Sequence, residues 1–193
     1  MLLAALPHSP IGKLVMNDVG AFLPAQALRE IGTNLIAPSH FDSLTAVEDH
    51  LRQSHRDWGT ISNAQWQHLA MHHARADGEG FRLHYDPRIA QMGNQWTPGP
   101  GLFFWDVWER VQCPVLLLRG ERSNVLPVSV AEQMQTRHEA VQLIELADCG
   151  HAPALMARDQ IEIVKTFLDE DRPVKRQPKA VYRRLSGLEA AAS

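Results

Sequence analysis

Cysteine is scarce in this 193-residue chain, with Cys113 and Cys149 the two present. Two thiols are too few for a disulfide framework and lack the paired spacing of a zinc site, so reduced thiols and a cytoplasmic location are expected. No apolar run reaches the length that spans a bilayer. The apolar opening, Met1 to Leu6, follows no basic residue and meets Pro7 at once, so it does not read as a signal peptide. A surplus of one charge is also missing: 19 Lys and Arg stand against 22 Asp and Glu, for a net charge of -3. That balance points to neither nucleic acid nor a membrane surface as a partner. The ten histidines keep no fixed ligand spacing. His68 and His72 suit i, i+4 geometry, but without a third ligand an exposed helix face is the plainer reading, and no metal or cofactor is expected. No internal repeat is found.

What is present divides into four parts. Residues 1–20 hold what reads as the end of a buried helix (2–6), stopped by Pro7 and the His8-Ser9-Pro10 turn. A short buried strand follows at 13–17, closed by Asp18 and Gly20. Residues 21–108 read as helical and irregular. Ala27, Leu28, Ile31 and Leu35 give a helical spacing over 24–36. Ser43 is a candidate N-cap for 43–54, and Asn63 for 63–76, where Trp66, Leu69, Ala70 and His73 share one face. An extended stretch is expected at 83–87 and a Gly- and Pro-rich loop at 93–101.

Residues 109–170 read as strand, helix, strand, helix. The run 113–118 is apolar throughout, as in a strand buried on both faces. Pro127 opens a helix to Arg137, 141–146 is the next strand, and 159–168 is a closing amphipathic helix. This alternation argues for a parallel sheet. Residues 171–193 carry Arg172, Lys175, Arg176, Lys179, Arg183 and Arg184 and read as a flexible basic tail.

Three stretches together resemble the α/β-hydrolases, in their capped bacterial hydrolase and acyltransferase branch. They are Lys13-Leu14-Val15-Met16-Asn17-Asp18-Val19-Gly20, then Cys113-Pro114-Val115-Leu116-Leu117-Leu118-Arg119-Gly120-Glu121-Arg122-Ser123-Asn124, then Cys149-Gly150-His151-Ala152-Pro153. The resemblance covers residues 1–168. It implies an α/β fold: the C-terminal half of an α/β-hydrolase, with about three parallel strands, their helices and a helical cap inserted at 21–108. It also implies hydrolysis of an ester or a related acyl or C–C bond in a small molecule.

In that family a serine on a G-x-S-x-G elbow attacks, a histidine moves its proton, and a carboxylate orients the histidine. The resemblance puts His151 in the histidine slot. Asn124 stands in the acid slot where aspartate is expected, and an asparagine there would not supply the charge. Asp18, at the end of the neighbouring strand, is the alternative acid; it also reads as an aspartate bonded to its own turn. No G-x-S-x-G occurs, and none of the serines has a strand-elbow-helix setting. Cys149, two residues from His151, reads as packing rather than as a nucleophile.

The resemblance places Met1 inside the helix after the missing elbow. The expectation is therefore a truncated chain, inactive as it stands, whose first strand is an apolar edge open to self-association or another chain. The alternative is a non-catalytic remnant or an interaction module using that edge. The aromatic set Trp58, Trp66, Trp96, Phe103, Phe104, Trp105 and Trp108 either lines an acyl pocket, as family analogy has it, or packs the insert.

Overall fold

The computed structural model describes residues 1–36, 38, 40–86, 88–89 and 99–170. The basic stretch 171–193, Trp96 and most of the expected loop at 93–101 lie outside the described residues. In chain order the strands are β1 (Leu14–Asn17), β2 (Phe22–Pro24), β3 (Ala74–Asp77), β4 (Gly80–Leu83), β5 (Gly101–Phe103), β6 (Val115–Gly120) and β7 (Val141–Leu146). The helices are α1 (Ala25–Asn34), α2 (Leu44–Ser54), α3 (Asn63–His73), α4 (Trp105–Trp108), α5 (Val128–Arg137) and α6 (Arg158–Asp169).

β6 is the centre of a three-stranded parallel sheet, with β1 on one side and β7 on the other. Successive side chains of a strand point to opposite faces, so a strand covered on both faces is apolar at every position. Val115 and Leu117 join Trp108, Val130 and Met134 in one core, while Leu116 and Leu118 join Ile144, Leu146 and Phe167 in another. α5 covers the first face and α6 the second. Trp108 is fully buried, and its indole N–H donates to the Met134 carbonyl. It therefore packs the core rather than lining a pocket. Lys13 Nζ donates to the carbonyls of Phe167 and Leu168, both at 2.8 Å, and so ties the approach to β1 to the last turn of α6. A cation suits a helix C-terminus, where unpaired carbonyls collect.

β1 and β6 pair directly although the chain between them is long. That insert has its own core of Phe41, Val47, Leu51, Trp66 and Ala70, beneath α2 and α3. It is less purely helical than expected, because it carries two antiparallel ribbons. One, β2–β5, brings the ends of the insert together and sets the Phe22 and Phe103 rings 4.8 Å apart. The other, β3–β4, is a hairpin whose strands begin where α3 ends. The Ser43 hydroxyl caps α2 by accepting from Ala46 N–H. α3 is capped by Ser62, one residue before the expected Asn63: its hydroxyl accepts from Gln65 N–H, and Gln65 Oε1 accepts from Ser62 N–H. These reciprocal bonds form a capping box, which satisfies two donors that the first turn cannot pair internally.

The opening residues depart from the expected buried helix. Leu3–Ala5 is a single 3₁₀ turn in which Ala4 and Ala5 are buried while Leu2 and Leu3 are each 67% exposed. Pro7 sets this limit by forcing Leu6 into an extended conformation (φ -73°, ψ 145°). The free side of β1 has no strand partner among the described residues. An apolar groove of about 560 Å³ runs along it, lined by Met1, Leu3, Leu14, Met16, Val19 and Phe104 among others.

Candidate active site

The site lies at the carboxyl ends of β1 and β6, the edge at which open α/β sheets place their ligands. β1 ends at Asn17, and Asp18 turns into the left-handed region at φ +57°, which aspartate tolerates better than most residues. Its N–H still donates to the Leu118 carbonyl at 2.8 Å, so the parallel register holds to this point. The turn aims the side chain across the end of β6, where Oδ1 accepts from Gly120 N–H at 2.9 Å. Oδ2 lies 2.9 Å from His151 Nδ1.

Asp18 is 0% exposed, whereas the His151 side chain is 28% exposed. A carboxylate only accepts, so Nδ1 carries the shared proton and Nε2 is left as the free acceptor. Asp18 thus fixes both the tautomer and the ring orientation. A general base of the serine-hydrolase kind needs that arrangement.

Backbone contacts set the position of the His151 loop. Gly120 must be glycine, because a Cβ there would stand 2.3 Å from the Gly150 carbonyl oxygen. Arg122 N–H donates to the Cys149 carbonyl at 2.9 Å, and Asn17 Nδ2 donates to the Pro153 carbonyl at 3.0 Å. The insert holds the other side of the loop. Gly150 N–H donates to the Asp57 carbonyl at 2.6 Å, Ala154 N–H to the Trp58 carbonyl at 3.3 Å, and Gln65 Nε2 to the Met156 carbonyl at 2.8 Å.

The structure brings His151 and Asp18 together and leaves Asn124 apart. Asn124 is exposed, and its amide donates to Glu30 Oε2 on α1. The acid-slot expectation is corrected accordingly: the imidazole is held by Asp18. Nor does Asp18 bond its own Val19-Gly20 turn, as its structural reading had it; its second oxygen takes the Gly120 amide. Burial pushes the Cys149 thiol up to about 11, and nearby Asp18 adds to the shift; its Sγ–H donates to the Leu146 carbonyl. A protonated, buried thiol is a poor nucleophile. The His68 and His72 rings sit 4.3 Å apart, but no group of three or more metal-ligating side chains occurs among the described residues.

Among the described residues, no serine hydroxyl is hydrogen-bonded to His151. Ser123 Oγ accepts from the N–H groups of Val125 and Leu126, a turn-forming role. Sequence reasoning missed Asp57 and Gln65 altogether, and gave Asn17, Trp58 and Gly120 no part in holding the His151 loop. Gln65 had a signal: serine followed three residues later by glutamine marks a capping box, although its second bond, to Met156, leaves no local trace.

No family model matches the sequence. The chain is 33% identical, over 175 residues, to a 3-hydroxybutyrate-oligomer hydrolase of Cupriavidus necator, a match covering 86% of this chain and 60% of that protein. A Rickettsia typhi structure assigned as a hydrolase superposes with a TM-score of 0.77 at 26% identity, covering 86% of this chain and 56% of that one. An α/β hydrolase from Novosphingobium aromaticivorans gives a TM-score of 0.73 at 27% identity, over 86% of this chain and 60% of that one. The fold is a partial α/β-hydrolase fold. The chain is related to the α/β-hydrolases over the part it shares with them, and spans about three-fifths of the length of these relatives.

Proposed function

We propose that this chain carries the acid–base half of a serine-type ester hydrolase. His151 takes the proton from the attacking hydroxyl and later gives it to the leaving alcohol. Asp18 keeps the imidazole in the useful tautomer and stabilises the imidazolium. The attacking hydroxyl comes from residues outside this sequence. In this reading residues 1–20 and 109–170 belong to the core, 21–108 form a cap above the site, and 171–193 are a basic appendage. The substrate class we assign is a hydroxyacid ester of the 3-hydroxybutyrate oligomer kind, on the strength of the Cupriavidus relative. The observation that carries the proposal is the Asp18 Oδ2 to His151 Nδ1 hydrogen bond of 2.9 Å at the carboxyl ends of parallel strands, with Nε2 turned away from the carboxylate.

The test is a chimera in which this chain replaces the matched segment of the Cupriavidus hydrolase. It is expected to hydrolyse 3-hydroxybutyrate oligomers. Asp18→Asn should lower turnover by about four powers of ten, and His151→Ala by about a millionfold. The chain alone is expected to show no turnover. A folded but inactive chimera sinks the proposal, and so does His151-dependent hydrolysis by the chain alone, which would place a nucleophile within it.

A further inference from the structure

Gln65 lies on the insert, far in sequence from His151, yet its one side-chain amide makes two bonds of different kinds. Oε1 closes the capping box on Ser62 N–H at 2.9 Å, and Nε2 reaches the Met156 carbonyl at 2.8 Å. The same insert offers two backbone carbonyls to the loop, Asp57 to Gly150 N–H and Trp58 to Ala154 N–H. These donors flank His151 in sequence, so the turn after α2 and the first turn of α3 grip the loop on both sides of the imidazole. A ring that must meet one carboxylate oxygen at hydrogen-bond distance tolerates little displacement of its backbone. The core side also holds the loop: Asn17 donates to the Pro153 carbonyl, Arg122 to the Cys149 and Asp148 carbonyls, and Asp148 N–H to Glu121. Past Pro153, the bonds from Ala154 N–H to Trp58 and from Gln65 to Met156 come from the insert.

We infer that Gln65 is a positioning residue for His151. The helix start is used as a bracket: the oxygen of the amide fixes α3, and its nitrogen fixes the histidine loop against α3. The insert therefore orients the base in addition to any role in covering a substrate. This inference deepens the reading of the site given above and rests on it for the role of His151, but its geometry does not depend on turnover.

The two bonds of Gln65 can be separated. Gln65→Glu keeps the acceptor of the capping box, since glutamate serves there as well as glutamine, and replaces the Met156 donor with an acceptor. Gln65→Ala removes both. The measurement is NMR on the full chain, following the low-field proton on His151 Nδ1 and the hydrogen exchange of the Gly150 and Ala154 amides. That low-field signal is first assigned by its loss in Asp18→Asn.

Both Gln65 variants are expected to broaden or lose the signal and to speed exchange of the two amides about tenfold, the effect of one lost hydrogen bond. In Gln65→Glu the amides of α3 should stay as protected as in the parent. An unchanged signal and unchanged exchange in a folded Gln65→Glu overturns the inference. So does an effect confined to Gln65→Ala, which would place the whole role of Gln65 in the helix cap. If the Gln65 result holds but the chimera is inactive, the positioning stands and the hydrolase reading fails; the reverse outcome separates them the other way.

Discussion

At the scale of single residues, the imidazole moved furthest from its ordinary pKa among the described residues is His55, at the end of α2. Its ring packs 4.0 Å from that of Trp58, and Nδ1 lies 2.8 Å from Ser54 Oγ. Burial lowers its pKa from the ordinary 6.5 to about 4; the Leu51 carbonyl opposes the shift, and the charges of His73 and His50 add to it. The folded protein therefore binds this proton more weakly than the unfolded chain. The contribution of His55 to stability is full above pH 6.5 and is lost as pH falls towards 4. We expect the urea midpoint to drop across that window and the drop to shrink in His55→Gln. Some slope will remain from His50 and His138, both lowered by burial. An unaltered slope in His55→Gln rules this account out. Because Asp57 and Trp58 follow directly, the same acidification should loosen the grip on the His151 loop. Legibility at this scale was uneven. The Gly-His turn after a buried strand marked His151, whereas Asp18 and Asn124 were both open as its partner. What decided between them is the left-handed turn at Asp18, which swings its carboxylate over Gly120. Nothing in the local residue pattern encodes that swing.

Among the elements, the loop between β6 and α5 depends on Arg119. This side chain is buried, and its Nε donates to the Leu126 carbonyl at 2.9 Å while Nη1 meets Glu145 Oε2 on β7 at 2.5 Å. Breaking one side of such a pair leaves a buried charge and unpaired carbonyls. Arg119→Leu is expected to cost about 3 kcal/mol in urea unfolding, with an unchanged slope against denaturant. A loss well below 1 kcal/mol would mean that the pair is solvated. β6, β7, α5 and α6 were readable because two-sided burial and one-sided helical burial leave different apolar periods. The ribbons β2–β5 and β3–β4 were not. Their strands are three or four residues long, too short for alternation to register, and they are held by pairing that closes over a distance the sequence does not display. The helical reading of 63–76 ran on into β3 for the same reason: Ala74 to Ala76 carry no breaker.

For the molecule as a whole, the governing fact is that β1, an apolar strand, lies at an edge of the three-stranded sheet with no strand partner beyond it among the described residues. The open side presents the apolar groove and the exposed Leu2 and Leu3. A flat, unpaired apolar edge recruits other strands. We expect sedimentation velocity to show self-association of the chain alone that rises with concentration, and a single species for the chimera, whose added segment covers that edge. A chain that stays monomeric throughout the series would count against it. The pairing of β1 with β6 has a different consequence. Asp18 and the amide that braces it, Gly120, are 102 residues apart in the chain but adjacent across one register. The chain between Asp18 and the start of β6 at Val115 is an excursion whose two ends are pinned by the same parallel ladder, and lengthening such an excursion twofold adds only about 0.6 kcal/mol of closure entropy. The hydrogen bond between Asp18 and His151 is thus insulated from most insertions, deletions and exchanges in the intervening segment. Among the exceptions are residues 57 to 65, where the excursion reaches back to hold the loop, and Trp108, which packs the core beneath the sheet.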